Sequence, residues 1–378
     1  MFDIASCVWS LVKQVFGLCI LLFCSVFVWL ATSQTALLYH PERGTFNTSK
    51  NSEKTVKELL ARHRLNYIPI KMPSGALGYF FCPNNVYQSS HVDHQVLDAE
   101  SAPPKLLRNQ TTILFFPGNS GHPIDCIPQI APFVKLYGFN VLLVCYPGFG
   151  PNMTNLKSIP SQKKISKEAR QWISDWSIKI NESDGKCVLY GYSLGAAVVL
   201  NTLSNWKTPN TLEIDSVVVE SCPRSVVRAI KNAYPTFGFF PLSLILHFSI
   251  ADTWDSLMGV ATQAYQGPIL FLCGGKDTNV PLRDVAKVFE TWSRVSPQLR
   301  LIEVFDSAPH GGVFLDKDYY PLVNKFVYYG YQDPGYDEDY NPSEYQIERC
   351  LRDAFDTQTH YLYKVPRHKQ NDHFTNFR

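Results

Sequence analysis

The chain has 378 residues, a formal net charge of +2 and 45% hydrophobic residues. That length suits one large α/β domain or two smaller ones, and the near-neutral charge gives no electrostatic handle for nucleic acid or an acidic partner. Its ten cysteines form no C-x-x-C pair, which removes a zinc site of that type; several fall in apolar runs that read as buried strands, where a free thiol behaves as a small hydrophobe.

No charged residue occurs from Val15 to Tyr39, and "VFGLCILLFCSVFVWLA" (Val15–Ala31) is about long enough for a spanning helix. The expectation is a single-pass membrane anchor over residues 1–39. A signal peptide cleaved near Ala31-Thr32-Ser33, giving a secreted protein, is the alternative. In either case the segment is expected to be an address, with no part in the core. Lys13 before the segment favours a body outside or in a lumen, where sequons at Asn47, Asn109, Asn152 and Asn181 would matter; the unpaired cysteines favour the cytosol. Residues 40–63 read as a linker.

The body begins with "LNYIPIKMPSGALGYFFCP", two strands around a Pro-Ser-Gly turn. A polar loop follows, and its His91-Val92-Asp93-His94 lacks a third ligand nearby. Thr111–Phe116 is an apolar run suited to a strand buried on both faces. A glycine turn, a helix from about Ile124 to Tyr137 and a second strand at Asn140–Cys145 complete a βαβ unit. An amphipathic helix carries Ile165, Ala169, Trp172, Ile173, Trp176 and Ile180 on its apolar stripe. Further strands are expected at Cys187–Tyr190, Ser216–Val219, Pro268–Cys273 and Leu299–Val304, with helices near Pro281–Trp292 and Phe314–Val327. Alternating strands and helices imply an α/β fold with a mostly parallel sheet and helices on both faces.

"YGYSLGAA" (Tyr190–Ala197) contains G-x-S-x-G. Chance produces such a match in roughly one chain in ten of this length, so the surroundings decide. Here a strand ends at Tyr190 or Gly191 and a helix begins near Leu194. That is where a strained turn would hold a nucleophilic serine, Ser193, at the carboxyl end of the sheet. A serine hydroxyl needs a base. "VFDSAPHGGVF" supplies His310 after the sixth strand of the alternating run, and "PILFLCGGKDTNVP" supplies Asp277 after the fifth. Asp306, Asp252 and Asp255 are the other carboxylates to be weighed for the third position. The backbone N–H groups of Leu194 and Asn119 are the expected oxyanion donors.

From about residue 64 to 329 the chain resembles the α/β-hydrolases. Within them it is most similar to the membrane-associated serine hydrolases of the bud-emergence type and their protein-depalmitoylating relatives, with a fainter likeness to a chlamydial hydrolase-like family. "FFPGNSGH" resembles the H-G-N-A-G-N-x-G-H oxyanion loop, "YPGFGPN" the Y-R-G-Y-G-x-S loop, and "CGGKDTNVP" the G-x-x-D-x-x-V-P segment. Pro117 replaces the histidine of the first and Pro147 the arginine of the second. His122 reads either as a substrate-orienting group or as a helix-start residue.

The resemblance implies hydrolysis of an ester or thioester, lipid or acylated protein, through an acyl-enzyme formed by Ser193, His310 and Asp277, with no cofactor or metal. A binding or scaffold protein on the same fold, an acyltransferase and a peptidase are the rival readings. Residues 222–267 form the expected cap insert. Its "FGFFPLSLILHF" (Phe237–Phe248) is either a core helix or the wall of an acyl pocket. Residues 330–378 are a C-terminal extension, with Ser343–Phe355 as a candidate helix.

Overall fold

The computed structural model describes residues 4–40, 60–61, 63, 65–83, 97–98, 107–152, 159–204, 206, 213–240, 242–261, 265, 267–295, 300–329 and 360–363. His91 and His94, the sequon at Asn47 and the candidate helix Ser343–Phe355 lie outside them.

The chain opens on a 35-residue helix, α1 (Ile4–Leu38), continuous because the segment has neither proline nor a charge after Lys13. Strands β1 (Tyr67–Lys71) and β2 (Leu77–Phe81) form the expected hairpin, with Gly75 at φ +86° in the turn. Strand β3 (Leu97–Asp98) lies beside β1. Six strands follow: β4 (Thr111–Phe116), β5 (Asn140–Val144), β6 (Lys186–Tyr192), β7 (Ser216–Glu220), β8 (Ile269–Gly274) and β9 (Arg300–Phe305). They match the six predicted from the alternating pattern, and every pairing among them is parallel. Strand β10 (His360–Tyr363) adds antiparallel to β9, so the extension supplies an edge strand. The full order is β10-β9-β8-β7-β6-β4-β5-β2-β1-β3.

The apolar runs are continuous because both faces of the sheet are covered. Leu114 and Phe116 of β4, Leu142 and Val144 of β5, and Phe271 and Cys273 of β8 enter one core. Their neighbours Ile113, Phe115, Val141, Leu143, Leu270 and Leu272 enter the other. The first core packs on α3 (Gln162–Asn181), α4 (Leu194–Ser204) and α8 (Leu282–Val295), and the second on α2 (Ile127–Leu136) and α9 (Tyr319–Tyr329). All six apolar positions predicted for α3 are buried. Its start is fixed by Ser161, whose hydroxyl accepts the Lys164 N–H.

The insert between β7 and β8 contains α5 (Val226–Ala233), a 3-10 turn at Pro235–Gly238, α6 (Leu242–Ser249) and α7 (Ser256–Ala261). The address-only reading of the N-terminus is overturned here. Leu30 and Leu38 are buried in the first core, Phe23, Val26, Phe27 and Leu37 pack against it, and α1 lies against α6. The segment continued apolar past Ala31 because its last two turns have a protein surface to bury against.

The nine described cysteines are free thiols. Two sequon amides are already in use: the Asn152 Nδ2 donates to the Cys145 carbonyl at 2.9 Å, and the Asn181 Nδ2 donates to the Ser177 and Glu213 carbonyls.

Candidate active site

The site begins at the crossing of β6 and α4. A Cβ on Gly195 would overlap the Phe116 carbonyl oxygen, and one on Gly191 would lie 2.6 Å from Ala196 Cα. Glycine at both positions lets helix and strand meet this closely. Between them Ser193 holds φ at +53°, a conformation costly for any residue with a side chain. Its N–H donates to the Glu220 carbonyl at 2.8 Å and its carbonyl accepts from Ala196 at 3.0 Å, so the end of β7 and the first turn of α4 hold the turn between them.

Ser193 Oγ lies 3.1 Å from His310 Nε2, and His310 Nδ1 lies 2.7 Å from Asp277 Oδ2. The Asp277 side chain is fully buried. Its second oxygen accepts the N–H groups of Asn279 and Val280 at 3.0 and 2.7 Å, which aims Oδ2 at the imidazole. Asp252 takes a different place: its Oδ2 accepts the Tyr39 hydroxyl and the Gln162 N–H. Asp255 accepts the N–H of Met258. Gly311, at φ +72°, turns the chain directly after His310, and the Tyr192 ring packs 5.6 Å from the imidazole. Tyr192 was in plain view inside the motif, but only the fold sets it against His310.

Leu194 and Asn119 border the same cavity as Ser193 and His310. The loop carrying Asn119 is fastened from both sides. The Tyr146 hydroxyl donates to the Pro117 carbonyl at 2.9 Å. The Asn119 Nδ2 donates to the Leu38 carbonyl, His40 N–H donates to the Asn119 carbonyl, and Gly121 N–H returns to the His40 carbonyl. The chain end of α1 is therefore a strut of this loop. A further knot sits beside it: Trp254 Nε1 donates to the Tyr39 hydroxyl, which donates to Asp252, while Gln34 Oε1 accepts the Ala251 N–H. His122 is a helix-start residue, with Nδ1 accepting from Ile124 and Asp125 reaching back to its N–H. Burial lowers its pKa to about 4, so it is neutral near pH 7.

The cavity measures about 470 Å³. Its far wall is Val226, Ala229, Ile230, Ala233 and Tyr234, and its near wall is Leu37 to His40. Phe237–Phe248 does not border it. Ile245 and Leu246 are buried in the core instead, while Phe239, Phe240 and Phe248 face outward. The expectation that this segment walls the pocket is therefore overturned: α5 lines the cavity in its place.

Beneath the turn, Glu220 is fully buried. Its Oε2 accepts from Gln129 Nε2 at 2.7 Å and from the hydroxyls of Tyr190 and Tyr319, and Oε1 has no partner. Desolvation pushes its pKa up to about 7, against the pull of the tyrosine hydrogen bonds. A lone carboxylate ending the apolar run "SVVVE" was the sequence signal for this group.

The strand order and the helices on both faces of the sheet are those of the α/β-hydrolase fold. No known family profile matches it. It is 29% identical over 237 residues to an uncharacterised membrane protein of Saccharomyces cerevisiae, covering 62% of this chain and 76% of that one. It is 25% identical over 210 residues to WAV2, an α/β-hydrolase domain-containing protein of Arabidopsis thaliana, covering 54% and 65%. An α/β-hydrolase of Vibrio vulnificus has the same fold, with a TM-score of 0.54 at 13% identity, covering 77% of this chain and 91% of the other.

Two outcomes follow. Removing residues 1–22 should leave the rate of Ser193 modification by a fluorophosphonate within about twofold, whereas removing residues 1–40 should lower it about 10- to 100-fold, because the loop loses its strut. Equal rates for the two truncations would show that the α1 end is dispensable. Second, a raised carboxyl pKa means that the folded state binds the proton more tightly. Glu220 therefore stabilises fully below the ordinary value of about 4.5, and this contribution is lost as pH rises through about 7. Thermal melts of wild type and Glu220→Gln, compared from pH 5 to 8, should diverge in that direction, with wild type losing more stability.

Proposed function

We propose that this protein is a membrane-anchored serine hydrolase that cleaves carboxylic esters or thioesters bearing an acyl chain, through an acyl-enzyme. The observation that carries the reading is the Ser193–His310–Asp277 relay, at 3.1 and 2.7 Å, opening into a cavity whose α5 side is formed by Val226, Ala229, Ile230 and Ala233.

In this mechanism His310 Nε2 takes the Ser193 proton as Oγ attacks the carbonyl carbon. Asp277 holds Nδ1–H and stabilises the imidazolium. The N–H groups of Leu194 and Asn119 receive the oxyanion, helped by the positive end of α4. His310 then protonates the leaving alcohol or thiol. Water enters, loses a proton to the same nitrogen and attacks the acyl-serine, which frees the acid and restores Ser193. The docked C-terminal part of α1 supports an anchor over a cleaved signal, since cleavage near Ser33 would remove Leu30 from the core.

Ser193→Ala should abolish fluorophosphonate labelling and lower ester turnover by roughly 10⁴-fold or more. Asp277→Asn should cripple turnover with the fold intact. A Ser193→Ala protein that still labels at the wild-type rate would refute the assignment.

Each methylene entering the cavity contributes about 0.8 kcal/mol, so kcat/KM should rise about fourfold per added carbon and then level off. Ala229→Phe, on the cavity wall, should move the plateau to shorter chains. A profile flat from acetyl to octanoyl would remove the acyl specificity while leaving the nucleophile in place.

A further inference from the structure

Helix α1 and the insert share a length of surface that a simple tether would not need. Residues 7–22 of α1 are exposed, apart from the half-buried Gly17. Sixteen residues of helix reach about 24 Å, short of the roughly 30 Å hydrocarbon layer. Two markers fix where the layer falls. Trp9 and Trp29, both exposed, are separated by about 30 Å of helix, the spacing of aromatic residues at the two interfaces. Alternatively, a span of about 20 residues starting after Lys13 ends near Ser33. Both registers put Phe23, Val26 and Phe27 inside the apolar layer, and these side chains pack against the body. Helix α6 packs against α1.

The insert is composed for that depth. From Asn232 to Ala251 there is no Asp, Glu, Lys or Arg. Phe239, Phe240 and Phe248 are 71%, 83% and 68% exposed, and Leu244 is 42% exposed. A monomer in water has no use for so much apolar surface in one stretch. Tyr234, within this stretch, is more than half exposed and also borders the Ser193 cavity, as do Leu37 and Leu38 at the end of α1.

We propose that the segment Tyr234–Phe248 dips beside α1 into the acyl-chain boundary of the bilayer, so that the mouth of the Ser193 cavity opens at the membrane and receives the acyl chain of a substrate resident there. The inference rests on the membrane-anchored hydrolase reading above and adds the route of entry. The occupant of this apolar surface is the lipid layer, because the surface is continuous with the helix that crosses that layer.

The test uses the full-length protein in phosphatidylcholine nanodiscs that contain a phosphatidylcholine with a diazirine-bearing acyl chain. After photolysis, peptides are mapped for lipid adducts. Adducts should appear on α1 and equally on residues 237–248, and be absent from Leu136 and Leu315, which are as exposed but lie elsewhere on the body. Adducts confined to α1 would overturn the proposal. This readout is independent of catalysis, so an inactive protein with a labelled insert would refute only the hydrolase reading.

A kinetic arm separates surface from cavity. Phe239→Ser combined with Phe240→Ser, neither of which borders the cavity, should lower turnover of a long-chain ester embedded in vesicles about 10-fold. Turnover of a monomeric short-chain ester and the fluorophosphonate labelling rate should stay at the wild-type level. An equal loss on both substrates would assign the two phenylalanines to folding and sink the entry route.

Discussion

The close crossing of β6 and α4 is the constraint from which the rest of the site follows. With no side chain at Gly195, the helix start lies against the Phe116 carbonyl, which brings the ends of β4 and β6 and the N-terminus of α4 together. Ser193 then has no relaxed conformation available and is lifted out of the strand at φ +53°. The parallel sheet does the remainder. Adjacent strands β4, β6, β7, β8 and β9 deliver Asn119, Ser193, Glu220, Asp277 and His310 to one edge, although those residues span nearly two hundred positions in the chain. Local backbone strain at the serine is tolerated because the sheet beneath it is buried on both faces.

The same edge contains two carboxylates in contrasting settings. Asp277 receives backbone N–H groups on one oxygen and an imidazole on the other. Glu220 sits in a tyrosine-lined interior with one oxygen bare, which favours the protonated form. One carboxylate faces the His310 imidazole; the other braces the floor under the turn.

The strands and helices of the body could be read from the sequence because each carried a local pattern: apolar runs for doubly buried strands, and a 3.6-residue stripe for α3. The motif loops were equally clear, since glycine and proline spacing encodes tight turns directly. Asp277 could be preferred over Asp306 only by chain order until the hydrogen bonds to His310 were in view. The N-terminus misled for a physical reason. An apolar helix has the same composition whether its neighbour is lipid or protein, so nothing in Phe23–Leu38 reveals that part of it docks. The struts at Leu38 and His40 are backbone carbonyl and amide contacts, which every residue type offers and no motif records. The run Phe237–Phe248 was legible as core or pocket wall, but which of its side chains face outward depends on how the insert packs on the body.

The backbone struts between the end of α1 and the loop at Asn119 bear on how such a protein can change over generations. A tether that only holds an enzyme to a surface is interchangeable, and recombination can replace it with any helix of similar length. Here the last turn of α1 and the two residues after it are shared with the body. Gln34 serves Ala251, Tyr39 serves Asp252 and Trp254, and Leu38 and His40 serve Asn119. A foreign helix spliced in ahead of the body would break all three agreements at once. Helix α1 and the body are therefore coupled across this seam, and a change on one side bears on the other.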